Sequence, residues 1–450
     1  MSARSVALGV LRAVQDSESY ANLLLPVRIE RERLDARDAA LATELTYGTL
    51  RRRGLYDVII SIAADRPIDS IDAPVLDVLR LGAHQLLSMR VAEHAAVSET
   101  VDLVRTVASR NATGFVNAVL RKIARGSADE WVDRAIATAR SGEEALGIAH
   151  SHPLWVVRAL RQVLVSEGRE DELEAALVAD NVAPAVSLSA LPGLAEVEDL
   201  PGVRRSEYSP IGAVLAGGDP SSLGAIRDGR ARVQDEGSQL AALALSRARP
   251  VARGERWLDV CAGPGGKAAL LAAEAQLGGA TLLANELVPA RAGLVRNAVA
   301  PFSSEVVEVV EGDGLRFAET PGAFDRILLD APCTGLGALR RRPEARWRKQ
   351  PSDVAGLGET QSALLDSAIA ALKPGGILAY VTCSPHAAET KAVVKAAARR
   401  HPGVRLLDTQ AVVAGIVREP LDLAEGTHVQ LWPHRHGTDA MFIQLITVEP

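Results

Sequence analysis

Beyond residue 256 short apolar runs alternate with helical stretches: 257–261, 280–286, 305–310, 326–330 and 376–383 are each followed by a helix or a loop. No other feature of the chain leaves so little freedom, because short buried strands separated by helical crossovers pair in parallel under helices on both faces of one sheet. The expectation is an α/β, doubly wound sheet that binds ligands beyond the carboxyl ends of its strands. Two later runs, 427–432 and 441–448, are expected to close the sheet edge as an antiparallel pair.

The chain ahead of this pattern reads differently. Up to Arg125 the periodicity is helical, as with Val97, Val101 and Val104, and proline occurs only at 26, 67 and 74. This predicts an all-α bundle over 1–127, a small connecting α+β segment over 128–230, and the α/β domain over 231–450. A length of 450 residues accommodates several such cores. The net charge of −6 conceals an uneven distribution: 17 Lys/Arg against 15 Asp/Glu in 1–127, 9 against 17 in 128–230, and 24 against 24 in 231–450. Overall acidity therefore does not argue against a polyanionic partner at either end. Arg4 and Arg12 interrupt the first apolar stretch and no long apolar run follows, so a cytoplasmic protein with no membrane contact is expected. Cys261, Cys333 and Cys383 are too dispersed for a disulfide framework or a thiolate zinc site, and His434 and His436 lack acidic partners at ligand spacing; reduced thiols and no metal are expected.

The first strand of the alternating region runs into Ala262-Gly263-Pro264-Gly265-Gly266-Lys267 and then an alanine- and leucine-rich helix. Strand, glycine turn and helix bring backbone close to a ligand, and the spacing also satisfies a relaxed dinucleotide fingerprint, which keeps an NAD-dependent oxidoreductase open. Glu286 ends the second strand and Asp313 follows the third. One carboxylate can accept from two ribose hydroxyls and a second from an adenine amine, so acids at successive strand ends favour S-adenosylmethionine.

The fourth strand ends in Asp330-Ala331-Pro332-Cys333 and the fifth in Thr382-Cys383-Ser384. Both thiols are expected to face one crevice. A thiolate that adds to carbon 6 of cytosine turns carbon 5 into a nucleophile toward a sulfonium methyl, and a second thiol can assist the elimination that follows. A protonated Asp330 would offset charge on ring nitrogen 3.

These residues resemble the RNA 5-methylcytosine methyltransferases of the NOL1/NOP2/Sun group, through 233–239 (VQDEGSQ), 258–267, 330–335, Arg340-Arg341-Arg342-Pro343-Glu344 and Tyr380-Val381-Thr382-Cys383-Ser384. The resemblance covers about residues 230–450 and implies a Rossmann-like class I methyltransferase fold. It implies Cys383 as nucleophile, Cys333 as the helper in product release, and cofactor contacts from 262–267, Glu286, Asp313 and Asp330. Two departures stand out: Gly263 replaces an alanine, a change expected to matter little sterically, and Glu286 stands where aspartate is common. The front of the chain resembles the helical RNA-binding NusB family at 3–11, 97–101 and 115–120. That order implies the bacterial branch acting on small-subunit (16S) ribosomal RNA, with RNA as partner and no obligate protein partner, as a monomer. A non-catalytic ribosome-assembly protein is the remaining alternative. For RNA contact the expected residues are Arg340, Arg341, Arg342, Arg346 and Trp347, a basic cluster directly after the Cys333 turn, with further basic spots at Arg51-Arg52-Arg53 and Arg121-Lys122.

Overall fold

The helical periodicity of the front half becomes helices Ala3–Asp16, Ala21–Arg31, Ala36–Arg51, Arg53–Ala64, Ala73–Leu87, Glu93–Val107 and Arg110–Ala124 in the computed structural model, which describes residues 1–16, 19–108 and 110–449. Their apolar stripes meet in one core that includes Leu8, Leu45, Ile59, Leu79, Val104 and Leu120. The core does not stop at residue 127. Ser127 and Glu130 form a capping box that starts helix Ala128–Ile136, and Trp131 of that helix is buried in the same core with its indole N–H donating to the Ile123 carbonyl at 2.8 Å. Met1–Arg161, Asp171–Ala183 and Leu339–Lys349 make up this helical unit, so the stretch expected as a single connector is divided between two units.

The second unit comprises Gln162–Glu170, Pro184–Ala338 and Gln350–Pro450. It opens with a four-stranded antiparallel sheet of β1 (Ser187–Ala190), β2 (Val203–Arg205), β3 (Gly212–Leu215) and β4 (Ala231–Val233), in the order β2-β3-β1-β4. Next come β5 (Arg256–Asp259), β6 (Thr281–Glu286), β7 (Val307–Glu311), β8 (Phe324–Asp330), β9 (Leu372–Thr382), β10 (Val404–Leu406), β11 (Val429–Gln430) and β12 (Phe442–Val448). These form an eight-stranded sheet in the order β10-β12-β9-β8-β5-β6-β7, with β11 paired to β12. Strands β5 to β9 are parallel, and β12 runs antiparallel to β9.

The expected fold class holds, with one change at the edge. The two late strands do pair antiparallel, but β12 lies inside the sheet, between β9 and β10. Side chains alternate between the faces as the strand period of two requires. Leu328, Ala379 and Val381 join helices Glu236–Ser246, Gly266–Gly278 and Pro289–Val299 on one side, and Ile327, Leu329, Leu378 and Tyr380 join helices Pro351–Ala371 and Lys391–Arg400 on the other. The chain proceeds from β5 outward through β6 and β7, then crosses back to β8 and β9. The topological switch therefore falls between β5 and β8, where a doubly wound sheet opens its crevice.

One buried cation fastens this sheet to its first helix. Arg326 on β8 is fully buried; Nε donates to Glu255 Oε2 at 2.7 Å, Nη1 to the Leu245 and Ser246 carbonyls at 3.0 and 2.7 Å, and Nη2 to those of Arg249 and Pro250 at 3.1 and 3.0 Å. The last carbonyls of helix Glu236–Ser246 are orphans of helix geometry, and the guanidinium fork satisfies them while it pairs Glu255. Arg326→Met strips a buried carboxylate of its closest cation and the helix end of its donors and is expected to cost about 3 kcal/mol or more, read as a lower urea midpoint followed through tryptophan fluorescence.

Candidate active site

The crevice is assembled from the turns that leave β5, β6, β7, β8 and β9. At the end of β5 the chain turns sharply. The Gly265 N–H donates to the Ala262 carbonyl at 2.7 Å, the Ala262 N–H donates to the Asn285 carbonyl at 2.8 Å, and helix Gly266–Gly278 starts at once. Gly265 has φ 105°, and a Cβ there would lie 2.4 Å from that of Ala298, so only glycine fits.

Glu286, at the end of β6, is turned toward this loop. Its Oε2 accepts the Gly263 N–H at 3.0 Å and its Oε1 accepts the Val288 N–H at 3.0 Å. A Cβ on Gly263 would lie 2.2 Å from Glu286 Oε2. The glycine at 263 is thus not sterically neutral: the longer acid at 286 occupies the space an alanine methyl would take, and the two departures compensate each other. Asn285, beside Glu286, ties three turns together, donating to the Val260 and Gly312 carbonyls at 2.9 and 3.0 Å and accepting from Arg316 at 3.2 Å. Asp313 is exposed after β7 and accepts the Leu315 N–H at 3.0 Å. Leu287, Val288 and Leu315 lie exposed beside these acids. Main-chain cradle, carboxylates with lone pairs to spare and an uncovered apolar rim together fit a nucleoside.

Lys267 of the loop helix reaches Asp330 at the end of β8, with Nζ 2.7 Å from Oδ2. Burial opposes the Lys267 charge, but the Asp330 carboxylate overcomes it and raises the lysine above its ordinary range. Asp330 Oδ2, expected to face ring nitrogen 3 of the base, is engaged by this ammonium. Asp259, at the end of β5, is buried, and burial and then the charge of Asp330 push its carboxyl up to about 8.

The two thiols meet. Cys333 Sγ, three residues past β8, and Cys383 Sγ, just past β9, lie 3.4 Å apart, both unbridged and partly accessible. Contact with Cys383 and then burial push the Cys333 thiol well above its usual range, so it stays protonated at neutral pH. Cys261 is raised as well, chiefly by burial, in keeping with a structural thiol. Residues that sequence reasoning missed surround the pair: Glu389, fully buried, accepts from Thr334 and Ser384, and Gln361 donates to the Pro332 carbonyl at 2.8 Å.

The basic cluster after Cys333 departs from expectation. Residues Leu339–Lys349 are part of the helical unit. Arg346 is fully buried there, donating to the Ser151 and Asp180 carbonyls at 3.1 and 3.3 Å and to Asn181 Oδ1 at 2.9 Å, and burial lowers it to about 10. Arg340 is also buried, and the Trp347 ring packs on Gly54, where a Cβ would come within 2.4 Å of it. Arg346 therefore acts as a packing residue, because a guanidinium held by carbonyls inside a core cannot meet a phosphate; Arg340 is buried and Trp347 half-buried in the same unit. Arg342 is exposed and lies over the Tyr20 ring at 5.0 Å, and Arg341 is half-buried.

Residues 249–447 match the family described as 16S rRNA methyltransferase RsmB/F, and residues 1–125 match the NusB family. A protein of Mycobacterium tuberculosis named as a methyltransferase is 49% identical over 446 residues, 98% of this chain and 95% of its own length. The ribosomal RNA small subunit methyltransferase B of Pseudomonas putida is 33% identical over 93% of this chain and 94% of its own. Among solved structures, PH0851 superposes with a TM-score of 0.81 at 22% identity over 99% of both chains, and NSun6 from Pyrococcus horikoshii with a TM-score of 0.53 at 18% identity over 65% of this chain and 98% of that one. At such identities these two share the fold.

Two outcomes follow. Gly263→Ala alone is expected to cost about 1–2 kcal/mol by breaking the Glu286 contact. Glu286→Asp alone leaves amides unpaired, and the double variant recovers most of both losses; a double-mutant cycle on thermal unfolding should give a coupling of about 1 kcal/mol, and strict additivity would contradict the compensation. The raised Asp259 contributes stability that is complete below the unfolded pKa and is lost as pH rises toward about 8. The advantage of Asp259→Asn over the natural protein in Tm should accordingly widen from about pH 5 to about pH 8, by a few degrees.

Proposed function

Because the chain belongs to the 16S rRNA methyltransferase RsmB/F family, we propose that it uses S-adenosylmethionine to methylate carbon 5 of a cytosine in small-subunit ribosomal RNA, with Cys383 as nucleophile. The observation that carries this reading is the 3.4 Å approach of Cys383 and Cys333 at the ends of adjacent strands, beside the loop and acids suited to a nucleoside. Ala262 to Lys267, Glu286, Asp313 and Asp330 would hold the cofactor, which when bound supplies a methyl group on a sulfonium.

Cys383 Sγ adds to carbon 6 of the cytosine, and the electron pair released in the ring makes carbon 5 nucleophilic. Lys267, kept charged by Asp330, favours the thiolate and the electron-rich ring that follows addition. Once Cys383 sulfur is bonded to the base it no longer forms a competing thiolate, and Cys333, its thiol proton passing to solvent, is left as a thiolate. It takes the proton from the methylated carbon 5; the electrons of that C–H bond restore the ring double bond, the carbon–sulfur bond breaks, and Cys383 leaves as thiolate. Membership of a methyltransferase family weighs against the oxidoreductase reading, and a retired site has no need of a thiol pair, which is why that and the assembly-factor reading are set aside.

Single-stranded or flipped-out RNA suits this crevice, since the target ring must leave its stack. Arg342, the exposed arginine of the basic cluster, is the residue proposed for phosphate contact. No helix among the described residues is long and apolar enough to cross a membrane, and with three free thiols the cytoplasm is the compartment that suits the chemistry. We expect a monomer to suffice, since this chain supplies every residue of the proposed site.

Cys383→Ala should abolish methyl transfer to ribosomal RNA. Cys333→Ala should instead accumulate protein covalently linked to RNA, visible as a slow band on a denaturing gel. Full activity of Cys383→Ala would remove it as the nucleophile.

A further inference from the structure

Beyond the crevice floor lies a buried carboxylate that the reaction just described does not use. Glu389 closes the turn Ala387–Glu389, and its side chain is fully buried. Its Oε1 accepts the Thr334 N–H at 2.7 Å and Gln361 Nε2 at 3.3 Å, and its Oε2 accepts the hydroxyls of Thr334 and Ser384 at 2.5 and 2.6 Å. Four donors match the four lone-pair sites of a carboxylate. Thr334 follows Cys333 and Ser384 follows Cys383, so one side chain grips both turns next to their thiols. The two hydroxyls also lie 3.1 Å from each other.

The grip is reinforced from three sides. Gln361, on helix Pro351–Ala371, donates to the Pro332 carbonyl just before Cys333 at 2.8 Å. The Tyr380 hydroxyl, on β9, donates to the Glu389 carbonyl at 2.8 Å. The Gly337 N–H donates to the Cys383 carbonyl at 2.9 Å; a Cβ at 337 would lie 2.8 Å from that oxygen and 2.0 Å from the Ala440 carbonyl, so the backbone approach demands glycine.

We infer that Glu389 is a positioning residue, clamping the turn after β8 to the turn after β9 and so setting the separation of the Cys333 and Cys383 sulfurs. The inference rests on reading those thiols as the reacting pair, but the geometry it describes is independent of any substrate. Sheet pairing alone stops short of the thiols: the last β8–β9 register pair is Asp330 with Val381, and both cysteines lie beyond it on turns. Turns without a ladder move unless something else fixes them. A buried carboxylate is costly to desolvate, and a fully satisfied one repays that cost in a single defined geometry.

The test needs a readout that does not depend on methyl transfer. Phenylarsine oxide condenses with two adjacent thiols, losing one water and forming two sulfur–arsenic bonds, and its affinity depends on how well the second thiol is presented once the first has reacted. In the full-length protein, Glu389→Ala should weaken arsenical binding at least tenfold and lower kcat at least tenfold, while KM for RNA stays within about twofold. Glu389→Gln, which keeps an acceptor for the Thr334 N–H, should fall between. If Glu389→Ala does not fold, Thr334→Val removes only the hydroxyl arm and should weaken arsenical binding by about threefold or more. Unchanged arsenical affinity in a folded variant overturns the inference whatever happens to activity. Weakened affinity in Glu389→Ala, with a natural protein that transfers no methyl to ribosomal RNA, sustains the clamp and overturns the proposed function instead.

Discussion

The proposed chemistry depends on two parallel strands ending side by side. Strands β8 and β9 pair in register up to Asp330 and Val381, and the Ala331 N–H continues the ladder to the Val381 carbonyl at 2.9 Å. Parallel neighbours deliver their carboxyl ends to the same edge of the sheet, so residues placed just beyond each strand meet without any long excursion. Cys333 and Cys383 occupy those positions. Because β5 lies on the other side of β8, the same edge also receives the glycine loop and Lys267. The switch in strand order therefore accounts for a nucleoside cradle, a charged pair and two thiols within one crevice.

Electrostatics inside that crevice are divided among three acids with distinct surroundings. Asp330 faces an ammonium, Glu286 accepts backbone amides, and Asp259 is buried with its carboxyl pushed up to about 8. Two cations, Lys267 against Asp330 and Arg291 against Glu286, offset the carboxylates there, which matters where the proposed thiolate has to form. The loop and the acid facing it are also fitted to each other, since Gly263 leaves room that the longer side chain at 286 fills. A substitution that looks minor along the chain is thus one half of a matched pair across it.

The sequence made the strand ends legible because function there depends on residue type at a fixed place: glycine, acid or cysteine after a short apolar run. It also made the doubly wound class legible, through the alternation of strands with helices. What it concealed were partnerships made in three dimensions. Glu389 sits in Pro-His-Ala-Ala-Glu, a stretch with no periodicity, and its importance comes from donors at positions 334, 361 and 384. The cluster 340–349 was expected to contact RNA, yet Arg346 is a core residue; the interspersed Pro343, Ala345 and Trp347 fit a stretch that packs. Trp131 likewise carries the helical core past the expected boundary at 127. Strand β10 was too short to register as a strand at all.

The account stands on carbon 5 as the atom that is methylated. With small-subunit RNA carrying tritium at carbon 5 of cytosine and a carbon-labelled methyl donor, tritium release to water and methyl incorporation can be counted in one reaction. Release of one tritium for each methyl transferred is the expected result, because the proton lost to Cys333 comes from that carbon. Methyl incorporation with the tritium retained would place the modification at another atom and contradict the account.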